Sequence, residues 1–227
     1  MYPYSYPNFM DYMAYNNAVS SQSACFCKKS FIRVLNTKMN SKYDVLINDI
    51  LMAENLNSGE FTRYAKFAPG TYEIKLYRAG EANKLIFEST IDIYQNLSYT
   101  CVIALDDTDP TDVSVFMIPE AKENVAMGSM SALRFANFSI ETQELEMKAA
   151  DGTILFSGVK YGDVSINVAV PSGKYEFMLI EKTTNNPVKK FRLDVAPRMH
   201  YTLFSQDNNS DIKIIIPEDG VNYLELC

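Results

Sequence analysis

The chain has 227 residues, of which 47% are hydrophobic, so it is long enough to bury a core as one large domain or two small ones. Its formal net charge of −7 repels phosphate backbones and acidic membrane surfaces, which argues against nucleic acid and membranes as partners. No apolar run approaches the roughly 18 residues that a membrane-spanning helix needs.

Residues 1–29 form a tyrosine-rich N-terminal tail that keeps neither helical nor strand periodicity. Pro3 and Pro7 remove backbone donors that a central strand needs. Two interpretations stay open: a disordered tail, or a connector that becomes ordered by docking on another subunit. In the second case the docking side chains are the aromatic ones, namely Tyr2, Tyr4, Tyr6, Phe9, Tyr12 and Tyr15.

Residues 30–120 read as a first unit of short strands separated by turn signals. Asn48-Asp49 suits a tight hairpin turn, and Pro69-Gly70 is a turn dipeptide. The next strand alternates, and we expect Tyr72 to be a buried anchor on its inner face. The predicted strands are Ser30–Asn36, Tyr43–Ile47, Ile50–Leu56, Phe61–Phe67, Thr71–Arg78, Leu85–Ile93, Tyr99–Leu105 and Val113–Ile118.

Residues 131–227 repeat this plan after a linker at 121–130. SALRFAN at Ser131–Asn137 matches SFIRVLN at Ser30–Asn36, an offset of 131 − 30 = 101. The Gly173 turn, with Tyr175 as a second expected anchor, matches the Gly70 turn at 173 − 70 = 103, and IIIPE at Ile214–Glu218 matches FMIPE at Phe116–Glu120. A nearly constant offset indicates duplication. Each repeat is large enough to bury its own core, so we expect two domains of one fold.

Short strands spaced by turns every 8 to 12 residues or so are typical of a sandwich. The sequence therefore predicts an all-β protein made of two tandem antiparallel Ig-like β-sandwich domains behind an extended N-terminal tail.

Several motifs also resemble those of a known family. They are FIRVLN at Phe31–Asn36, Val-x-Ile-Asn-Asp at Val45–Asp49, Leu56, Gly59, the turn at Ala68–Tyr72 and Leu-x-Tyr-Thr at Leu97–Thr100. With them the repeat resembles a bacterial family of tandem β-sandwich domains of unknown function, number four-three-nine-seven in its catalogue. The resemblance covers both domains, omits residues 1–29 and implies a fold without an assigned activity. Members are often exported or surface-bound, whereas this chain shows no signal peptide.

The architecture is also similar to that of endospore appendage subunits, which are β-sandwiches with a cysteine-bearing N-terminal connector. That similarity implies crosslinking between subunits through Cys25 and Cys27. Cys227 is the expected partner on another subunit, because it is terminal. Cys25 and Cys27 are about 6.5 Å apart in an extended chain, near the limit for a mutual disulfide, so we do not expect them to pair with each other. The alternative is that these thiols stay reduced in the cytosol. Cys101 lies within an apolar strand and is expected to be a buried hydrophobic residue.

Other candidate sites are weak. The acidic loop with Asp106, Asp107, Asp109 and Asp112 is either a solvated turn or a calcium site, since calcium prefers oxygen ligands. The single histidine, His200, has no nearby catalytic partner in the sequence and is expected to have a surface or structural role. No phosphate-binding glycine motif is present. We expect neither a cofactor nor enzymatic activity.

These observations favour a structural, self-assembling protein, such as a spore coat or spore-appendage fibre subunit joined through its tail, with itself as partner and no small-molecule substrate. The alternative is a cell-surface binding module for carbohydrate or protein. The first basic residue is Lys28, which does not fit a secretory signal. We therefore expect synthesis in the cytoplasm and exposure on the spore surface after lysis of the mother cell.

Overall fold

The computed structural model describes residues 29–81, 84–109, 111–120 and 126–225. This part of the chain contains sixteen strands and one short 3-10 helix at Gly220–Asn222. The first eight strands are β1 (Ser30–Asn36), β2 (Lys42–Ile47), β3 (Ile50–Asn57), β4 (Ala65–Phe67), β5 (Gly70–Arg78), β6 (Leu85–Ile93), β7 (Ser98–Leu105) and β8 (Val113–Glu120). The others are β9 (Met130–Phe138), β10 (Glu144–Ala149), β11 (Ile154–Lys160), β12 (Val168–Pro171), β13 (Gly173–Glu181), β14 (Pro187–Val195), β15 (His200–Asn208) and β16 (Asp211–Ile215).

The two halves of the chain form sandwiches with the same topology. The first domain pairs a sheet of order β4-β1-β7-β8 with a sheet of order β3-β2-β5-β6. The second domain repeats both, as β12-β9-β15-β16 and β11-β10-β13-β14. The predicted all-β fold with two tandem sandwich domains is confirmed. Within the residues described, no helix is long and apolar enough to cross a membrane.

One detail of the prediction is wrong, because the sheets are not purely antiparallel. β1 pairs with β7 in parallel, from Phe31 opposite Ser98 to Asn36 opposite Ile103. β9 pairs with β15 in the same way. A parallel pair needs a long crossover, and here the strands of the other sheet supply it. Period-2 alternation reports which face is buried but carries no information on strand direction.

The turns and short strands follow local chemistry. Asn48 and Asp49 have φ of 43° and 62°, as the predicted hairpin turn requires. The predicted strand Phe61–Phe67 shortens to Ala65–Phe67, and Phe61 makes only an isolated bridge to Leu35. The cause is Thr62, whose hydroxyl accepts the Val34 N–H at 2.9 Å in place of a ladder carbonyl.

The two tyrosines expected as buried anchors are only half-buried. Ile74 and Leu76 on the same face of β5 are fully buried, but Tyr72 lies at the edge of the core. Its hydroxyl donates to Ala68 O at 2.9 Å, and Tyr175 donates to Pro171 O at 2.8 Å. These rings close the rim of each sandwich, because their polar ends reach a backbone acceptor at the surface.

Each domain has its own apolar core, and a third core lies between the domains. This interdomain core joins β1, β7 and β8 of the first domain to β9, β15 and β16 of the second. Its buried members are Leu35, Val102, Ala104, Ile118, Ala136, Phe138, Phe204 and Ile215. The sheets that contain the parallel pairs therefore pack back to back, and the chain forms four layers of sheet.

Candidate functional site

Two arginines at equivalent positions cross the boundary between the domains. Arg33 on β1 donates through Nη1 to Glu218 O at 2.7 Å, and Arg134 on β9 donates through Nη1 to Pro119 O at 2.8 Å. Each Nε also donates at 2.8 Å to a threonine of its own domain, Thr100 or Thr202. Reciprocal contacts of this kind characterise an approximate two-fold arrangement of two copies.

Two carboxylates complete this interdomain charge cluster. Glu120 ends β8 and Asp219 lies just before the short helix, and both are buried. Arg33 Nη2 is 3.0 Å from Glu120 Oε1 and 3.5 Å from Asp219 Oδ1. Since Tyr99 pairs with Pro119 and Tyr201 bridges Glu218, the equivalent of Glu120 is Asp219 rather than Glu218, which corrects the sequence alignment by one residue.

Further donors saturate Glu120. Its oxygens accept hydrogen bonds from Tyr64 Oη at 2.6 and 2.7 Å, Ser98 Oγ at 2.9 Å and Thr100 Oγ1 at 2.7 Å. They also accept the Gly220 N–H at 2.7 Å, from the other domain. A buried charge is tolerated only when it is paired and hydrogen-bonded in this way.

The pKa values of the two carboxyl groups are shifted in opposite directions. Burial opposes ionisation of Glu120, but Arg33 and the hydrogen bonds from Tyr64 and Thr100 outweigh it and lower the pKa of Glu120. Burial, reinforced by the negative charge of Glu120, raises the pKa of Asp219 to about 7. Because both groups are buried, the cluster joins the two domains through polar contacts and is not accessible to a substrate.

Aromatic side chains fill the part of the interface around Phe138 and Tyr161 of the second domain. Phe138 packs edge-on against Phe116 at 5.2 Å and Tyr161 at 6.2 Å between ring centroids, and it stacks on Phe204 at 6.3 Å. Tyr161 Oη donates to Leu105 O of the first domain at 2.6 Å. This side of the interface is closed.

The related side of the interface stays open. Ser58 is the equivalent of Tyr161, because Ser58 N donates to Ser41 O as Tyr161 N donates to Gln143 O. By the same alignment of the repeats, Thr37 is the equivalent of Phe138. Two large rings are thus replaced by two small polar side chains. Ser58 lines a cleft of about 1080 Å³ that is formed by residues of both domains. We call it the interdomain cleft.

The interdomain cleft is lined by polar and basic groups. The β1–β2 loop, the β5–β6 turn and the end of β3 form one wall, and the β15–β16 hairpin forms the other. None of the described residues that line it is acidic. Its basic residues are Lys38, Lys42, Arg78, Lys84 and Lys213, and its amide and hydroxyl residues are Asn40, Ser41, Asn57, Ser58, Thr111, Gln206 and Asn208.

Contacts between the domains set the shape of the cleft. Gln206 Nε2 donates to Ser58 Oγ at 3.1 Å across the boundary. The Lys213 ammonium lies against Gly59, where a Cβ would overlap Nζ. Gly59 also has φ of 78°, which favours glycine. Within the first domain, Lys38 Nζ donates to Thr111 O at 3.3 Å. Burial, and then the charge of Arg78, lowers the pKa of Lys38, although the charge of Asp112 acts in the opposite direction.

The acidic loop, which the sequence left as either a solvated turn or a calcium site, is held by hydrogen bonds of its own. Asp106 accepts hydrogen bonds from the N–H groups of Thr108 at 2.8 Å and Asp109 at 3.0 Å. Hydrogen bonds from the Ser114 and Thr108 hydroxyls, and then these two backbone bonds, lower the pKa of Asp106. Asp109 caps Thr111 in the same manner. Within the described residues, no three His, Cys, Asp or Glu side chains form a group suited to a metal. This includes the four aspartates of the loop, Asp106, Asp107, Asp109 and Asp112. The aspartates act here as turn residues.

Other predicted residues fall into two groups. Cys101 is fully buried, as expected, and burial raises the pKa of its thiol to about 12. His200 is buried, and its N–H donates to Asn222 Oδ1 at 2.8 Å, which fits the expected structural role. The tail residues and crosslinking cysteines, namely Tyr2, Tyr4, Tyr6, Phe9, Tyr12, Tyr15, Cys25, Cys27 and Cys227, lie outside the described residues and stay predictions.

Sequence reasoning missed both the charge cluster and the interdomain cleft. The cluster left one signal, because Arg33 and Arg134 recur at the offset of the repeat. The cleft left another, because Ser58 and Tyr161 differ at equivalent positions.

The fold and these motifs agree with a known family. The family described as Domain of unknown function (DUF4397) matches residues 30–148 and 131–223. The chain belongs to this family, which confirms the resemblance carried by the repeated motifs. No curated protein matches the sequence.

A comparison with solved structures gave distant matches. The C-terminal domain of AlgF from P. aeruginosa is 16% identical, covers 40% of this chain and 100% of its own, and gives a TM-score of 0.32. A family 26 carbohydrate-binding module from Eubacterium rectale, in complex with maltoheptaose, is 10% identical over 84% of this chain and 97% of its own, with a TM-score of 0.26. Family 41 carbohydrate-binding modules from streptococcal virulence factors, which recognise α-glucan, are 9% identical over 81% of this chain and 96% of their own, with a TM-score of 0.27. These similarities are distant.

Proposed function

We propose that the chain is a non-catalytic binding module that holds a carbohydrate ligand in the interdomain cleft. The observation that carries this proposal is that Ser58, which lines the cleft, stands where the related site has Tyr161. One of two related sites at the interface is plugged by rings, and the other is left as a cleft of about 1080 Å³. Ligand sites commonly occur as concave pockets at domain interfaces.

The lining supports binding rather than catalysis. Proton transfer needs a positioned acid or base, and hydrolysis of a glycoside needs two carboxyl groups. The described residues that line the cleft include no Asp, Glu, His or Cys. Glu120 and Asp219, which have shifted pKa values, are buried in the charge cluster, with exposed fractions of 1% and 3%.

The polar groups of the lining support carbohydrate as the ligand. Amide and hydroxyl side chains such as those of Asn57, Ser58 and Gln206 both donate and accept hydrogen bonds. Sugar hydroxyls have the same dual capacity. The proposal agrees with the alternative left open by the sequence, a binding module, and does not use the tail.

Ser58→Tyr tests the proposal, because it introduces the side chain that closes the related site. The native protein, Ser58→Tyr and a control, Thr153→Tyr on an exposed turn outside the cleft, are applied to an array of neutral, acidic and amino glycans. We expect at least one glycan to be retained by the native protein and the control but lost by Ser58→Tyr. Thermal unfolding checks that all three are folded. If no glycan is retained in a Ser58-dependent manner, the proposal is wrong.

A further inference from the structure

We infer that the ligand of the interdomain cleft is an acidic polysaccharide, whose carboxylate groups pair with ammonium and guanidinium groups of the lining. This inference rests on the proposed function and adds a ligand class to it. Three observations carry it: the local charge, the availability of two lysines and an unpaired buried amide oxygen.

The charge of the cleft is opposite to that of the molecule. The chain has a formal net charge of −7, yet the described lining contains Lys38, Lys42, Arg78, Lys84 and Lys213 and no acidic side chain. A cleft lined by one sign of charge concentrates ligands of the other sign. Of the described lining residues Tyr43 is the only aromatic, and it is buried, so this part of the chain offers no ring face to a neutral sugar.

Two of these cations are free to meet a ligand. Among the described residues, Lys42 and Lys213 make no ion pair, although both are exposed. The nearby carboxylate of Glu60 is held by Asn57, whose N–H and Nδ2 donate to it at 3.0 and 2.8 Å. These hydrogen bonds, and then Lys42 and Lys213, lower the pKa of Glu60. One carboxylate balances only one of the two ammonium groups.

The other basic groups are weakly engaged. Arg78 and Lys84 lie 3.9 and 3.6 Å from Glu81, and all three side chains are about half exposed. Exposed pairs of this kind contribute little and are readily exchanged. A polyanion entering the cleft therefore competes with weak partners only.

An unpaired acceptor points to a ligand that also carries donors. Gln206 is 2% exposed and lines the cleft, and its Oε1 has no hydrogen-bond partner within the described part of the chain. Its Nε2 donates to Ser58 Oγ at 3.1 Å. A buried acceptor without a donor is costly. A sugar hydroxyl supplies the missing donor when the side chains that cover Oε1 move aside.

The test uses three probes, each measured by calorimetry with the full chain at low and physiological salt. Polygalacturonate is an acidic polysaccharide, dextran is a neutral one and poly-L-glutamate is an acidic polymer that lacks sugar. The binding variant is Lys42→Gln/Lys213→Gln. The matched control is Lys174→Gln/Lys190→Gln, which removes the same charge from exposed positions on β13 and β14. Thermal unfolding confirms that both variants are folded.

We expect the native protein and the control to bind polygalacturonate in preference to both other probes, more weakly at higher salt. The cleft variant should lose affinity by about tenfold or more, because it removes two ammonium groups that are balanced by a single carboxylate. Equal binding by native protein and cleft variant overturns the inference, as does an equal affinity for poly-L-glutamate or no binding of polygalacturonate.

Ser58→Tyr separates the two proposals. If a glycan is lost on Ser58→Tyr but is retained by Lys42→Gln/Lys213→Gln, the cleft binds carbohydrate and only the acidic class is wrong. If polygalacturonate binding is unchanged in both variants, this polymer does not occupy the cleft and the inference is wrong. The proposed function is wrong as well if no other glycan of the array depends on Ser58.

Discussion

Arg33 and Arg134 reach across the domain boundary in opposite directions, each to a backbone carbonyl of the other domain, at 2.7 and 2.8 Å. Their surroundings differ. Arg33 is 1% exposed and faces Glu120 and Asp219, whereas the buried Nη2 of Arg134 has no hydrogen-bond partner among the described residues. Equivalent positions therefore make unequal contributions to the interface.

Replacing Arg33 should be severe. Arg33→Met leaves Glu120 buried without its cation, and breaking a buried pair in this way costs about 3–5 kcal/mol. Arg134→Met should cost less, since Arg134 is only partly buried. Urea denaturation gives the free energies of unfolding. Arg192→Met is the control, because the side chain of Arg192 is 85% exposed and its change should stay within about 0.5 kcal/mol. Equal losses for Arg33→Met and Arg192→Met would contradict the role of the cluster.

Asp219 should make stability depend on pH. Its pKa is raised from 3.8 to about 7 in the folded protein. Between these values the folded state binds a proton that the unfolded state releases, so stability falls as the pH rises through this window. Asp219→Asn cannot ionise and should lose this fall. Urea midpoints at about pH 5 and about pH 8 measure the slope. An identical slope in both proteins would show that Asp219 is not the group responsible.

The interdomain core should couple the unfolding of the two domains. Phe138 is 3% exposed and packs against both domains, so Phe138→Ala should cost about 3–5 kcal/mol. Because the two domains share this core, the native protein should unfold in one transition by circular dichroism and calorimetry. Two separate transitions in the native protein would show that the shared core does not couple the domains.

The thiol of Cys101 should be inert. It is fully buried, and its pKa is raised to about 12, whereas reaction requires an accessible thiolate. The variant Cys25→Ser/Cys27→Ser/Cys227→Ser leaves Cys101 as the single thiol of the four in the chain. We expect no labelling by Ellman's reagent in the native state and one equivalent in denaturant. Rapid labelling of the native variant would contradict the buried position.

The tail hypothesis has its own test. If Cys25, Cys27 and Cys227 join subunits, the oxidised protein should run as multimers on a non-reducing gel and as a monomer after reduction. Cys25→Ser/Cys27→Ser should abolish the multimers. Multimers that persist in this variant would show that the tail is not the connector. Deletion of residues 1–29 should give a folded monomer that does not assemble.

Much of the fold could be predicted because its signals are local. Period-2 alternation located β5 and β6, and the Asn48-Asp49 pair located a hairpin turn. The apolar character of β7 on both faces was also visible. One face, with Cys101 and Ile103, lies in the first domain's core, and the other, with Val102 and Ala104, lies in the interdomain core. The sequence does not distinguish a second sheet of the same domain from a sheet of another domain.

The cleft could not be predicted in the same way, because its parts are distant in the chain. Lys42 and Lys213 meet only because the two central sheets pack back to back. No spacing rule connects residues on β2 and β16. The loss of ring volume at Ser58 is visible only after the repeats are aligned and the interface is known.

The back-to-back packing makes the molecule equivalent to a homodimer whose two subunits have been joined in one polypeptide. In a true homodimer both grooves beside the interface are identical, and any substitution changes both. Covalent duplication releases this constraint, so Tyr161 can fill one groove while Ser58 leaves the other open. A titration with a short oligosaccharide should accordingly reach its endpoint at a single ligand per polypeptide, not at one per repeat.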